Sequence, residues 1–149
     1  ADIVFPEHVI DCDADPFIPD SWSVEEHRKG GQFKWDPASV SLYLSEEQKN
    51  GKKWIEGNKL RTELSNRPVL NANVLDYLLA HPHLIPEEWE GKAVFFWGTI
   101  YHDRDGHLHV RCLLWRDGRW GCYALWIDSV WNDRDPAAVP ASLPAETSV

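Results

Sequence analysis

Basic residues are missing from the start of the chain, cysteine is scarce throughout, and long apolar runs do not occur. Each absence excludes something. A membrane helix needs about 20 apolar residues, and Ala93-Val94-Phe95-Phe96-Trp97 supplies about a quarter of that, so no transmembrane helix is expected. Three cysteines, Cys12, Cys112 and Cys122, are too few for a disulfide scaffold and too unevenly spaced for a zinc finger. Ala1-Asp2-Ile3-Val4-Phe5-Pro6 shows no basic region followed by an apolar stretch, so no signal segment is legible. Together with the few cysteines this predicts a reducing, cytoplasmic setting. No serine, histidine and carboxylate set is spaced as a triad, and no glycine-rich phosphate loop is present, which points away from an enzyme.

The missing bases are the most informative absence. Residues 1 to 26 carry eight carboxylates and no Lys or Arg, whereas the other 123 residues carry sixteen acids and fifteen bases, a net of −1. An acidic arm on a nearly neutral body repels phosphate, which disfavours nucleic-acid binding through a basic footprint. What the chain does have is 43% hydrophobic residues in a length of 149, enough for one domain with a sizeable core. It also has nine tryptophans, where average usage gives about two. The expected organisation is a single domain over 1–134, opening with the acidic arm 1–26 and followed by a loose, Pro- and Ala-rich tail at 135–149.

Local signals divide the chain in two. In the first 37 residues Pro16 and Pro19 exclude a helix, leaving short strands at Ile3-Val4-Phe5 and Val9-Ile10. Val40 to Leu44 alternates as a strand does. Ser45-Glu46-Glu47-Gln48 fits a capping box, with Gly51 as the stop. Leu60 and Leu64, after Asn58 as cap, predict a short helix, and Ala72 to His81, capped by Asn71 and ended by Pro82, a clearer one. From Lys92 onward three β-rich runs are separated by Asp105-Gly106 and Asp117-Gly118, which are strong hairpin signals. The fold expected is α+β: an antiparallel sheet centred on a three-stranded meander over residues 93–127, with short helices from 45 to 90 packed on one face.

Two-residue turns at both Asp-Gly pairs fix a register. His102 then faces His109, Trp115 faces Trp120 and His109 faces Trp126. Phe95, Trp97, Thr99, Tyr101, Val110, Cys112 and Tyr123 share one face, which reads as core. The other face carries Phe96, Ile100, His102, His107, His109, Arg111, Trp115, Trp120, Cys122 and Trp126; a three-residue loop would swap faces. Either helices cover this second face, or part of it stays open and Arg111, Trp115, Trp120 and Trp126 form a stacking surface for a peptide, sugar or partner protein. Cys112 and Cys122 fall on opposite faces, so no disulfide joins them.

Two constellations could hold a metal. Asp11, Asp13 and Asp15 line one side of an extended segment and begin like a calcium loop, but Pro16 and Trp22 stand where such a loop needs Gly and Glu. The same Asp11-Cys12-Asp13 after Val9-Ile10 resembles the nucleophile motif of haloacid dehalogenase-type hydrolases, whose repeated strand–helix units this chain lacks. His102, His107 and His109 gather at the first hairpin tip, a candidate for zinc or another divalent metal.

Over Val9 to Trp131 the chain resembles a group of small uncharacterised bacterial proteins from environmental and candidate-phylum genomes. The resemblance rests on Ile10-Asp11-Cys12-Asp13-Ala14-Asp15-Pro16-Phe17, Gly30 to Asp36, Leu70 to Leu79, His81 to Trp89 and Phe95 to Tyr101. It implies a compact domain and transfers no activity, ligand or site residue. The functional expectation is therefore a non-enzymatic protein-interaction or ligand-binding module that needs no cofactor, with a metal-binding protein or metal-dependent hydrolase as the alternative.

Overall fold

The computed structural model describes residues 7–50 and 53–141. In chain order the elements are β1 (Val9–Asp11), β2 (Ser23–His27), β3 (Gln32–Lys34), β4 (Val40–Tyr43), α1 (Glu46–Lys49), β5 (Trp54–Glu56), α2 (Gly57–Leu64), α3 (Ala72–Ala80), β6 (Ala93–Phe95), β7 (Thr99–His102), β8 (Leu108–Arg116), β9 (Arg119–Trp126), β10 (Val130–Asn132) and β11 (Ala137–Pro140). The strand expected at Ile3-Val4-Phe5 and the stop at Gly51 lie outside the described residues.

The helices begin where their caps dictate. Both hydrogen bonds of the Ser45/Gln48 capping box are made at α1. At α3 the Asn71 side chain accepts from Asn73 N–H, and Thr99 Oγ1 accepts from Ala72 N–H at 2.9 Å. Asn58 does not cap α2; its amide reaches Asp128 instead, and the helix starts at Gly57. A Cβ at Gly57 would lie 1.7 Å from the Ile127 carbonyl oxygen, so only glycine lets α2 start against the end of the β9 segment.

One mixed sheet runs β2-β7-β8-β6-β11-β4, with β9 on the other edge of β8. Its pairings are antiparallel except β6 with β11. The expected single first strand is broken in two. Phe95 pairs with Cys112, but Tyr101 pairs with His109, a shift of three residues absorbed by Phe96-Trp97-Gly98. There Gly98 N–H leaves the sheet to bond Leu70 O at 2.9 Å, and a Cβ on Gly98 would meet Asn71 at 2.8 Å. An odd-numbered excursion reverses the alternation beyond it. Phe95 and Trp97 share a cluster with Ile100, while Tyr101 turns to the opposite side.

Packed elements lie on both faces of the sheet, which corrects the expectation of helices on one face, while Trp115, Tyr123 and Trp126 at the β8–β9 edge stay exposed. On one side α3 packs Val74, Leu75 and Leu78 against Phe96, Leu113 and Ile10. On the other, α2 and the β5–β10 pair bring Leu60, Leu64, Ile55 and Trp131 against Phe95, Trp97, Val110 and Ile127. The acidic arm is also part of the fold, since β1 pairs with β3 and β2 pairs with β7. The expected loose tail contributes β11, which lies between β6 and β4 with Ala137 and Ala138 buried. Small side chains and Pro140 hid a strand, because a residue flanked by strands on both sides gains its place from pairing and not from its own bulk. Residues 142–149 lie outside the described residues. Among the described residues no helix is long and apolar enough to cross a membrane.

Candidate functional site

The register of β8 with β9 is the one expected, with Trp115 opposite Trp120 and His109 opposite Trp126. Asp117 and Gly118 both adopt positive φ, 56° and 78°, as a two-residue hairpin turn with the right twist demands. His109, Arg111, Leu113 and Trp115 therefore share a face with Trp120, Cys122, Ala124 and Trp126. Arg111 sits midway along it, 5% exposed. Its guanidinium donates to both Asp76 oxygens, at 3.0 and 2.9 Å, and its Nε donates to Cys122 Sγ at 3.2 Å. The Tyr101 hydroxyl is 3.4 Å from the same guanidinium and donates to Phe17 O at 2.8 Å. Burial is the largest single influence and works against the Arg111 charge, but the hydrogen bonds to Asp76 and the attraction of the Asp76, Cys122 and Tyr101 groups together outweigh it and hold the guanidinium protonated well above its ordinary range. Burial likewise pushes up the Tyr101 phenol and the Cys122 thiol.

Above this buried cation lies a cavity of about 330 Å³. Phe17, Pro19 and Trp22 form one wall, Tyr123 and Ala124 of β9 the other, and Arg111 with Cys122 the floor. The first wall is set by local chemistry. Trp22 N–H closes a turn onto Pro19 O, Ser21 takes a positive φ of 69°, and Arg104 donates to Ser21 Oγ at 2.8 Å. Trp22 then stacks on His109, ring centroids 4.5 Å apart. Phe17 and Ile18 beside the cavity are half exposed, as is Trp126 beyond Ala124.

β9 also has an outer edge that no strand pairs with among the described residues. Ile127 N–H bonds Leu108 O, so the residues of β9 that turn their backbone toward β8 are the odd-numbered ones. Trp120, Cys122 and Ala124 turn N–H and C=O outward, and among the described residues no strand pairs with that edge.

The four expected binding residues do not form one surface. Arg111 floors the cavity and Trp126 stands at its histidine end, stacked on His107 at 4.5 Å. Trp115 and Trp120 contact each other at 5.4 Å, four residues from Arg111 along β8 or about 13 Å, with Trp120 packed into the α3 core. Sequence reasoning missed Phe17, Pro19, Trp22, Tyr101 and Asp76. The one local signal was apolar Phe17-Ile18 held between two prolines.

The expected metal sites do not converge either. Arg104-Asp105-Gly106 makes a three-residue loop, with Asp103 N–H bonded to His107 O and Gly106 at φ 85°. His102 thus pairs with Leu108, on the face opposite His109. His109 Nε2 is 2.9 Å from Asp103 Oδ2, and Asp103 Oδ1 accepts from Asp105 and His107 N–H. Chiefly through the His109 bond, the Asp103 carboxyl falls to about 2. Asp103, Asp105 and His107 do bring donor atoms within 4.8 Å of one another, but both Asp103 oxygens are occupied in holding the turn. In the acidic arm Asp11 Oδ1 accepts from Asp13 N–H and Gln32, Asp13 accepts from Gly31 N–H, and Asp15 is exposed. These carboxylates shape a loop and do not form a three-donor group with one another. No family model, curated protein or solved structure matches the chain.

Proposed function

We propose that the protein is a non-enzymatic binding module that takes an extended segment of a partner protein on the outer edge of β9, seating one apolar side chain in the cavity beside Arg111. The observation that carries this is the juxtaposition of the eight-residue strand β9, whose outer edge pairs with no strand among the described residues, with a cavity opening on the face that carries Cys122 and Ala124. Strand addition supplies main-chain hydrogen bonds for affinity, and alternate side chains supply specificity. Residues 120–126 of β9 carry no charge and no proline, the devices by which sheet edges are protected from pairing. Asp76 already neutralises Arg111, so the cavity suits an apolar side chain in preference to an acidic one.

The test is a displayed library of extended peptides selected against the full chain, with amide chemical shifts followed on binding. Perturbation is expected at Trp120, Cys122 and Ala124. Ala124→Pro removes an outward N–H without touching the β8 ladder and is expected to abolish binding, while Phe17→Ala weakens it. Binding that maps elsewhere, or survives Ala124→Pro, overturns the reading. A concentration-dependent dimer perturbing the same amides would instead identify a second copy of the chain as the occupant.

A further inference from the structure

We infer that His8, His81 and His83 form a binding site for a divalent transition metal of the zinc type, at the end of α3 remote in sequence from the β8–β9 edge. The three rings form a near-equilateral triangle, with centroids 5.5 Å apart for His8 and His81 and 6.2 Å for each of the other two pairs. Their planes are mutually inclined by 62° to 70°, so no two stack face to face. Zinc holds imidazole nitrogens at about 2.0–2.1 Å; with a ring centroid about 1.2 Å behind its nitrogen, tetrahedral ligation places centroids about 5.2 Å apart. The centroid triangle is therefore wider than a loaded site by between a few tenths of an ångström and about 1 Å, and because the ligand nitrogens do not all lie within 4.8 Å of one another, loading requires the exposed His83 ring to swing inward about its side-chain bonds.

The His81 tautomer is already set, and the His8 ring is already oriented. His81 Nδ1 lies 2.9 Å from the Tyr77 carbonyl, an obligate acceptor, so Nδ1 carries the proton and Nε2 presents a lone pair. His8 Nδ1 lies 2.6 Å from the Tyr77 hydroxyl, which leaves its Nε2 as the ligating atom. One residue thus orients two ligands, the outer-shell pattern of imidazole metal sites. His83 has no hydrogen-bond partner among the described residues. The site is also favourably placed electrically, because His81 caps the C-terminus of α3, where the helix dipole stabilises positive charge.

Only the folded chain assembles this set. His8 precedes β1, and Asn73 of α3 pins that segment by donating to Asp11 O and Ala14 O at 3.0 and 2.9 Å. A bound ion would cross-link the N-terminal segment to the end of α3, with water in the fourth position.

The experiment is titration of the chelator-treated full chain with Zn²⁺ by calorimetry and with Co²⁺ by visible absorption. One ion per chain is expected, with a rise in melting temperature as zinc increases. His83→Ala, which changes an exposed side chain, is expected to weaken uptake at least about tenfold, since one of three protein ligands is gone. His8→Ala is expected to do the same, whereas His107→Ala binds as the wild type does. Absence of uptake, equal uptake by wild type and His83→Ala, or loss of uptake in His107→Ala would each overturn the assignment.

Discussion

Asp76 of α3 grips Arg111 of β8 through two parallel hydrogen bonds, and this pair ties the helix to the strand where the cavity floor is laid. Removing one partner leaves the other charge unpaired in a poorly solvated place. Asp76→Ala is therefore expected to destabilise the protein by about 3 kcal/mol, toward the lower end of such losses because the Asp76 side chain is 32% exposed. Urea unfolding checks this. Arg111→Met combined with Asp76→Ala recovers most of the loss if the cost is the stranded charge, and recovers none if it is lost packing.

The same helix supplies a second, purely apolar anchor. Leu78 is fully buried between α3 and the sheet, in the cluster with Leu113 and Phe96. Leu78→Ala is expected to cost about 2–5 kcal/mol, the range for a core truncation that leaves a cavity. A melting temperature equal to that of the wild type would show that α3 does not bear on the sheet.

How far the sequence carries depends on how local each determinant is. Asn71, the stripe of Val74, Leu75 and Leu78, and Pro82 fall within one short segment of the chain, and they marked α3 correctly. The two Asp-Gly pairs look alike in sequence yet fold differently. At Asp117-Gly118 both residues take left-handed conformations and the two-residue turn forms. At Asp105-Gly106 the Asp103 carboxylate, held by His109 from the facing strand, bonds the Asp105 and His107 N–H groups and selects the longer loop. That choice depends on a residue six positions away, and it displaced His102 from the expected site. The cavity was illegible for the same reason. Arg111 was visible on its face, but Phe17, Trp22 and Asp76 reach it from distant segments. The break between β6 and β7 turns on the close approach of Gly98 to Asn71, and the place of β11 on its pairing with β6 and β4, neither of which a local pattern encodes.

The histidine tip gives a pH prediction with a definite sign. The Asp103 carboxyl is depressed from its usual 3.8 to about 2, mainly by the His109 hydrogen bond. A carboxyl whose folded value is lowered contributes its stabilisation fully above the ordinary value and loses it as pH falls through the folded one, here between about 4 and 2. Carboxyl NMR titration is expected to place the Asp103 midpoint near 2, and His109→Ala to move it upward toward 3.8. A midpoint unmoved by His109→Ala would show that the backbone N–H groups alone hold the charge.

Thiol reactivity is expected to report the two faces of the sheet separately. Cys112 lies in the cluster beneath α2 and Cys12 in the one beneath α3, and burial raises their thiols from 9.0 to about 12 and about 11. Since the thiolate is the nucleophile, its population at pH 8 is lower than at an unperturbed cysteine by about 1000-fold and 100-fold respectively. Cys122 is also raised by burial, but it is only partly buried, Arg111 acts in the opposite direction, and its sulfur lines the open cavity. Native protein treated with an aromatic disulfide reagent at pH 8 is expected to label first at Cys122, much later at Cys12 and last at Cys112, with all three reacting at once in urea. A peptide seated beside Arg111 slows the Cys122 phase without changing the other two, which ties the order of labelling to the cavity. Rapid native labelling of Cys112 would show that the α2 side of the sheet opens to solvent, contrary to its complete burial of Ile55, Leu60 and Val110.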